Sequence, residues 1–240
     1  MATCKHSDVC HRDTLHARDK YCILYSEDPE KDPLIFNEAL MRHQEEYGPD
    51  FRDIVFVPET SFRGGIFKYE ADFRGATFKG DANFEGALFE AGANFECAIF
   101  EADANFLGST VRSHTHFWST VFKGGANFKE ALFNGPISFR SALFEGESTF
   151  LRADFQGWAN FAGVTFRCPV IFQDTLFNRP VAFLNATFES EANFDSAVFQ
   201  SQVHFIDATF GGKTNLGTAI FNGGVDFDCA ISLFPPIKSR

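Results

Sequence analysis

Phenylalanine sets the metre of this chain. From Phe51 to Phe227 it returns at alternating intervals of five and six residues, an eleven-residue unit seen in ANFEGALFEAG from Ala82 to Gly92. Elevens counted from Pro49 give 17 units ending at residue 235, with Phe in the third column of 16 and the eighth column of 15. Leu216 is the exception in the third column, Val111 and Ser232 in the eighth. A fixed period of this length marks a solenoid, in which each unit buries its apolar face only by stacking on its neighbours. A single helix cannot collect these positions, because steps of five and six residues throw successive rings about 140° and 240° apart around its axis.

Two residues before nearly every Phe of the repeat stands a small residue, as in Ala71/Phe73, Ala76/Phe78, Ala82/Phe84 and Ala87/Phe89. That spacing puts both on one side of an extended segment, so one small and one large apolar side chain point inward. The residue between them points outward and is often polar: Asp72, Asn83, Asn94, Asn105, Asn127, Asn160, Asn193, Asn215 and Asp226. Turn formers follow the rings, as at Gly64, Gly75, Gly86 and Gly135-Pro136. Two units per turn give a four-sided coil of 22 residues, with Phe84 over Phe106 and Asn105 over Asn127. The outward Asn column supports this count. Five of eight alternate units carry Asn there (83, 105, 127, 193 and 215), against two of nine in the other set (94 and 160). Seventeen units then make a rod roughly 40 Å tall at about 4.8 Å per coil.

Ala82-Asn83-Phe84-Glu85-Gly86 matches throughout the motif of a small residue, Asp or Asn, Leu or Phe, and two polar residues. Ala87-Leu88-Phe89-Glu90-Ala91 matches it except at Leu88. In this the chain resembles the pentapeptide-repeat proteins, in a variant with alternating five- and six-residue steps. The resemblance covers about three quarters of the chain. It implies an all-β solenoid, a right-handed quadrilateral β-helix. The sixth residue of alternate steps, such as Gly92 or Asp103, departs from the family pattern and bears on how square the coil is. Some members of the family mimic DNA, bind type II topoisomerase and confer quinolone resistance, which makes a DNA mimic one functional expectation for this chain.

The organisation read from the sequence is an N-terminal Cys/His segment with a capping helix (1–48), the β-helix (49–235) and a short tail (236–240). The first 22 residues hold Cys4, His6, Cys10, His11, His16 and Cys22. Thiolates and imidazoles are the ligands of structural zinc, and four close a tetrahedral site. Cys4, Cys10 and Cys22 supply three, and His16 is the fourth expected ligand, with His6 or His11 as alternatives. A segment too short for its own core would gain folding energy from such a metal. Tyr21 to Tyr25 resembles the short cysteine motifs that precede pentapeptide repeats. There a His commonly follows the last Cys by three, and here Tyr25 takes that place. A polar arm with unligated thiols, or redox-active cysteines, are the competing readings. Asp32-Pro33 reads as an N-cap followed by Pro at the first helical position. Leu34, Ile35, Leu40 and Met41 are expected on the buried face, flanked by Phe36 and Ala39, with Tyr47-Gly48-Pro49 ending the helix. At the other end Pro235-Pro236 stops the ladder, since proline cannot donate to it.

The net charge is −11. No basic patch offers a nucleic-acid surface, and no apolar run reaches the eighteen residues of a membrane span. The absence of a secretory signal after Met1 and the scattered single cysteines, Cys97, Cys168 and Cys229, point to reduced thiols and a cytoplasmic location. Asp81, Glu85, Glu90, Glu96, Glu101 and Asp103 form a one-signed stretch, either a solvated belt or a surface for a basic partner. The most aberrant repeat runs from Leu107 to Phe122 and carries His114, His116 and Trp118, a contact site or simple drift on a wet face. Leu184 and Ile206, with Ala162, form an outward apolar strip suited to a homodimer. A second outward column is apolar: Val55, Ile66, Leu88, Ile99, Val121, Leu132, Leu143, Leu176, Val198 and Ile220. It is either turned partly inward at the six-residue corner or adhesive. There is no phosphate loop, GxSxG or HExxH. The leading expectation is a non-enzymatic structural or interaction module with an unnamed protein partner. A DNA mimic, and an enzyme built on a β-helix, are the alternatives.

Overall fold

A computed structural model describes residues 22–28, 31–57 and 60–233. Two-residue strands stack in four parallel sheets, one for each side of the coil. Following the chain around one turn, the first face runs in eight strands from Ala71–Asp72 to Val225–Asp226. The second has nine, from Val55–Phe56 to Ile231–Ser232. The third has seven, from Ala82–Asn83 to Thr214–Asn215, and the fourth eight, from Ile66–Phe67 to Ile220–Phe221. Register is 22 throughout: Ala82 pairs with Ala104, Leu88 with Thr110, Ala71 with Ala93 and Thr77 with Ile99. The four-sided coil is therefore the fold.

The rings explain why four sides win over two. Phe84 stacks on Phe106 at 4.8 Å and 4°, and Phe95 on Phe117 at 4.7 Å and 2°. Between the opposed first- and third-face ladders the contact turns edge-on, as for Phe84 and Phe95 at 5.5 Å and 87°. Offset stacks along the axis and edge-to-face contacts across it are the two arrangements favoured by the ring quadrupole. A two-sided ribbon would have room for the stacks alone. Val111 stands in the fourth-face ladder between Phe89 and Phe133 and remains buried.

The alternating step has a local cause. One residue in almost every eleven lies in the left-handed region, among them Gly75 (φ 66°), Gly86 (φ 63°), Cys97 (φ 57°), Ser119 (φ 53°) and Cys229 (φ 54°). These make the tight five-residue corners between first and second faces and between third and fourth. The other two corners take six residues. There successive backbones approach closely: a Cβ on Gly157 would collide with the backbone of Gly135, and one on Gly146 with that of Gly124.

The third-face Asn column forms a side-chain ladder where the sequence places it. Asn127 donates to Asn105 and Asn215 to Asn193, both at 3.1 Å. The outward apolar column divides between two faces, Val55, Ile99, Val121 and Leu143 on the second and the remainder on the fourth. Within the rod its leucines are half-buried by their neighbours above and below, while Ile66 and Ile220, near the ends, are 63% and 51% exposed.

The N-terminal end is covered. Helix α1 (Pro33–Tyr47) starts at Asp32, whose carboxylate accepts from Leu34 N at 2.8 Å, and stops at Gly48 (φ 70°). Its buried face corrects the sequence expectation: Phe36, Leu40 and His43 face the core, whereas Leu34, Ile35 and Met41 are exposed. Positions 36, 40 and 43 form an i, i+4, i+7 stripe. A count of apolar residues alone passes over it because His43 is polar; His43 is held at the interface by a 2.7 Å bond between its Nε2 and Asp50 O. Phe36 meets Phe56 edge-on at 6.1 Å. Residues 22–26 form a turn at this end of the second face, with Val55 N donating to Leu24 O at 2.8 Å. Lys31 ties these pieces together. Its buried Nζ donates to Ile23 O, Ser26 O and Val55 O at 3.2, 2.8 and 2.5 Å and sits 4.7 Å from the Phe36 ring centre. Burial pushes its pKa down to about 8. At the other end Phe221 and Phe227 are only partly buried and Leu233 is exposed.

Candidate interaction surface

The acidic stretch is one-signed in sequence and mixed in space. Each turn brings residues 22 apart together, so Arg63 meets Glu85 at 3.1 Å, Arg112 meets Glu90 at 3.4 Å, and Lys79 and Lys123 flank Glu101 at 3.2 and 3.6 Å. Asp81 and Asp103 accept instead from corner backbone, Asp81 from Asp103 N at 3.2 Å and Asp103 from Gly125 N at 2.7 Å. They edge a shallow groove of about 730 Å³ on the third face, floored by the Asn ladder. Exposed pairs of this kind add little stability, but they set a cation beside three of the six acids.

His114, His116 and Trp118 of the aberrant repeat lie on the first face, where a different surface forms. Stacking by 22 places Pro136 and then Trp158 over His114, Arg140 over Trp118, and Ser138 and then Asn160 over His116. The result is a groove of about 380 Å³ holding both tryptophans of the chain. Trp118 is 39% exposed and Trp158 45%, on a molecule whose phenylalanines are otherwise nearly all internal. His116 packs on Trp118 at 4.9 Å, and its buried Nδ1 has no hydrogen-bond partner among the described residues. Ser138, the smallest residue of the central column here, forms the floor. No Asp or Glu lines the groove. Sequence reading found His114, His116 and Trp118 but missed Pro136, Arg140 and Trp158. The signal was present, since each lies 22 or 44 residues on from one of those three.

The strip at Ala162, Leu184 and Ile206 continues this face toward the C-terminus, and all three are half-buried. Of the expected zinc ligands, Cys22 is buried beneath the N-terminal turn, its carbonyl accepting from Tyr25 N and Ser26 N at 3.0 Å. Cys4, Cys10, His16 and the alternatives His6 and His11 lie outside the described residues. Among the described residues no group of three or more metal-ligating side chains comes together, and no helix is long and apolar enough to cross a membrane.

The family model for pentapeptide repeats matches residues 62–110, 117–165 and 172–220, more than half of the chain. The chain belongs to the pentapeptide-repeat family. No curated protein matches this pentapeptide-repeat protein. Its family accounts for the rod; the Trp118–Trp158 groove is a property of its own outward residues.

Proposed function

We propose that this protein is a non-enzymatic interaction module, a stiff rod that presents the first-face groove to a protein partner. One observation carries the reading: both tryptophans stand outward in one groove, where a repeat selected only for stacking would need neither. Exposed aromatic anchors are characteristic of protein contact sites. The rod supplies a rigid platform on which such anchors lose little entropy when a partner binds. Affinity capture from the native cell with the full chain tests this. A specific, saturable partner is expected, and its absence across growth conditions would count against a module of any kind.

A DNA mimic would draw on the rod shape and the net charge of −11. Cross-coil ion pairs on Glu85, Glu90 and Glu101 dilute the acidic belt, whereas DNA carries one phosphate charge per about 1.7 Å. The module reading is therefore preferred, and gyrase capture by the purified rod would reverse that preference. An enzyme would need a free acid–base pair or nucleophile in a groove, and the third-face acids Asp81 and Asp103 already accept from corner backbone. A cytoplasmic setting suits Cys97, Cys168 and Cys229, which form no disulfide among the described residues. The Ala162–Leu184–Ile206 strip would serve a homodimer. Zinc held by Cys4, Cys10, Cys22 and His16 would fasten the N-terminal arm to the covered end of the rod. Elemental analysis giving about one equivalent, lost in Cys22→Ser, tests that assignment.

A further inference from the structure

The Trp118–Trp158 groove differs from the rest of the rod in its charge as well as its aromatic content. Several surface cations are met by carboxylates one coil away, as Arg63 is by Glu85 and Arg167 by Glu145. Arg140 is not, and unlike Lys68, Arg179 and Lys213, which are also without an ion pair among the described residues, it stands in an aromatic groove. The residues stacked on it are Trp118 and Ala162, and it forms no ion pair among the described residues. His114 and His116 line the same groove, and no acid does. On a chain of net charge −11 this is a local inversion of sign.

The layout also has a direction. Trp118 lies two residues beyond the central column in one coil, and Trp158 two residues before it, two coils on. With about 4.8 Å per coil and 3.3 Å per residue, the indoles mark the ends of a diagonal of roughly 16 Å. Its midpoint is Ser138, with Arg140 on one side and Pro136 on the other. A diagonal of that length accommodates an extended peptide of about five residues.

We infer that the groove is a docking site for an extended acidic peptide segment of a partner protein, with apolar side chains about five residues apart resting on Trp118 and Trp158 and a carboxylate between them meeting Arg140. The inference rests on the interaction-module reading and names the class of partner. Arg140 suits the role because its planar fork binds a carboxylate through two parallel hydrogen bonds. The small floor at Ser138 lets a peptide backbone approach the sheet. Indoles supply large contact area at a small cost in side-chain entropy.

Selection of a phage-displayed random dodecapeptide library on the full-length protein tests this. Selected peptides are then synthesised and titrated, with the protein's intrinsic tryptophan emission as readout. Both tryptophans line the groove, so the signal reports this site alone. The expected peptides carry Asp or Glu between two apolar residues and shift the emission, and their affinity falls with added salt. Arg140→Glu should weaken them about tenfold or more, the usual cost of losing a charge-assisted pair. It should restore binding of a peptide with Lys in place of the acid. Ser138→Trp should block binding without altering charge. Arg140 is exposed and Ser138 lies at the groove floor, and circular dichroism checks that each variant folds. No enrichment, enrichment of basic or neutral peptides, or binding indifferent to Arg140→Glu would each overturn the proposal. So would polygalacturonate shifting the emission where no peptide does, which would assign the site to an acidic glycan. A wild-type dimer in sedimentation that Arg140→Glu dissociates would assign it to a second copy. A native partner still captured by Arg140→Glu would refute this site and leave standing only an interaction module that binds through another part of the rod.

Discussion

Replacing Phe139 with alanine probes the bore near the middle of the rod. The ring is fully buried and stacked on both faces, with Phe117 at 4.8 Å and Phe161 at 5.0 Å. Phe128 and Phe150 meet it edge-on at 5.3 and 5.5 Å, and Phe144 lies at 6.0 Å. Losing the buried ring forfeits about 2–3 kcal/mol of transfer free energy. The ring–ring geometry adds about 0.5–1.5 kcal/mol per favourable pair. The gap cannot close, because ladder bonds above and below fix the coil spacing: Phe139 N to Asn160 O and Phe117 N to Ser138 O, both 2.7 Å. The cost should therefore reach the upper part of the about 3–5 kcal/mol range for a buried aromatic. Phe227→Ala is the internal comparison. That ring is partly exposed and has one stacked partner, Phe205 at 5.0 Å, so about 1–2 kcal/mol is expected, felt as fraying of the last coil. Glu145→Ala breaks only an exposed pair with Arg167 and should cost about 1 kcal/mol or less. Urea unfolding followed by far-ultraviolet circular dichroism gives all three midpoints. Equal shifts for Phe139→Ala and Glu145→Ala would refute the inward and outward assignment. Equal shifts for Phe139→Ala and Phe227→Ala would refute the argument from stacking on both faces.

Lys31 has a folded pKa of about 8 against an ordinary value of 10.5. Its ammonium costs about 3 kcal/mol below pH 8, a cost relieved as pH rises to about 10.5, because in that window the unfolded chain holds the extra proton. Lys31→Met should flatten this rise, and denaturation midpoints at pH 7, 8.5 and 10 that keep the wild-type slope would contradict the linkage. Thr120 and Ser109 are both buried, but Thr120 Oγ1 donates to Phe95 O at 2.7 Å whereas Ser109 Oγ has no partner among the described residues. Thr120→Ala should cost about 1 kcal/mol while Ser109→Ala, between Ala87 and Ala131 in its column, is neutral or stabilising; thermal melts of the pair should shift differently. Cys97 holds φ 57° at a tight corner, so Cys97→Gly should stabilise by up to about 1 kcal/mol and Cys97→Val destabilise by at least that much. Calorimetric midpoints moving the same way in both would discount corner strain.

The fold was legible because its cause is repetitive. Each Phe column of the eleven-residue unit supplies two ladders on opposite faces, and the period specifies the number of sides once rings must meet both along and across the axis. What escaped depends on single residues acting across turns. The acidic stretch looked unopposed because Arg63, Lys79, Arg112 and Lys123 are remote in sequence and one coil away in space. The helix face was misread because His43 buries its ring by bonding Asp50 O, a contact that apolar counting does not register. Half of the groove was missed for the reason the acidic pairs were: its members are joined only after the chain is wound at 22. The alternation of corner types was visible as five- and six-residue steps, but the left-handed residues behind it, from Gly75 to Arg152, share no side-chain chemistry that would announce them.

The mismatch between the eleven-residue unit and the 22-residue turn has a consequence for how such a rod can change by duplication. An inserted eleven continues the Phe rhythm, so the bore accepts it. Everything downstream is nevertheless carried half a turn around the axis, and tight corners still stack on tight corners. A duplication of one unit between Arg140 and Trp158 would leave a well-packed protein with its two indoles on opposite sides. A duplication of two units would lengthen the diagonal by one coil and keep both on the same face. The interior is thus indifferent to a change that the exterior cannot survive, and the surface pattern can be inherited intact only when length changes by whole turns.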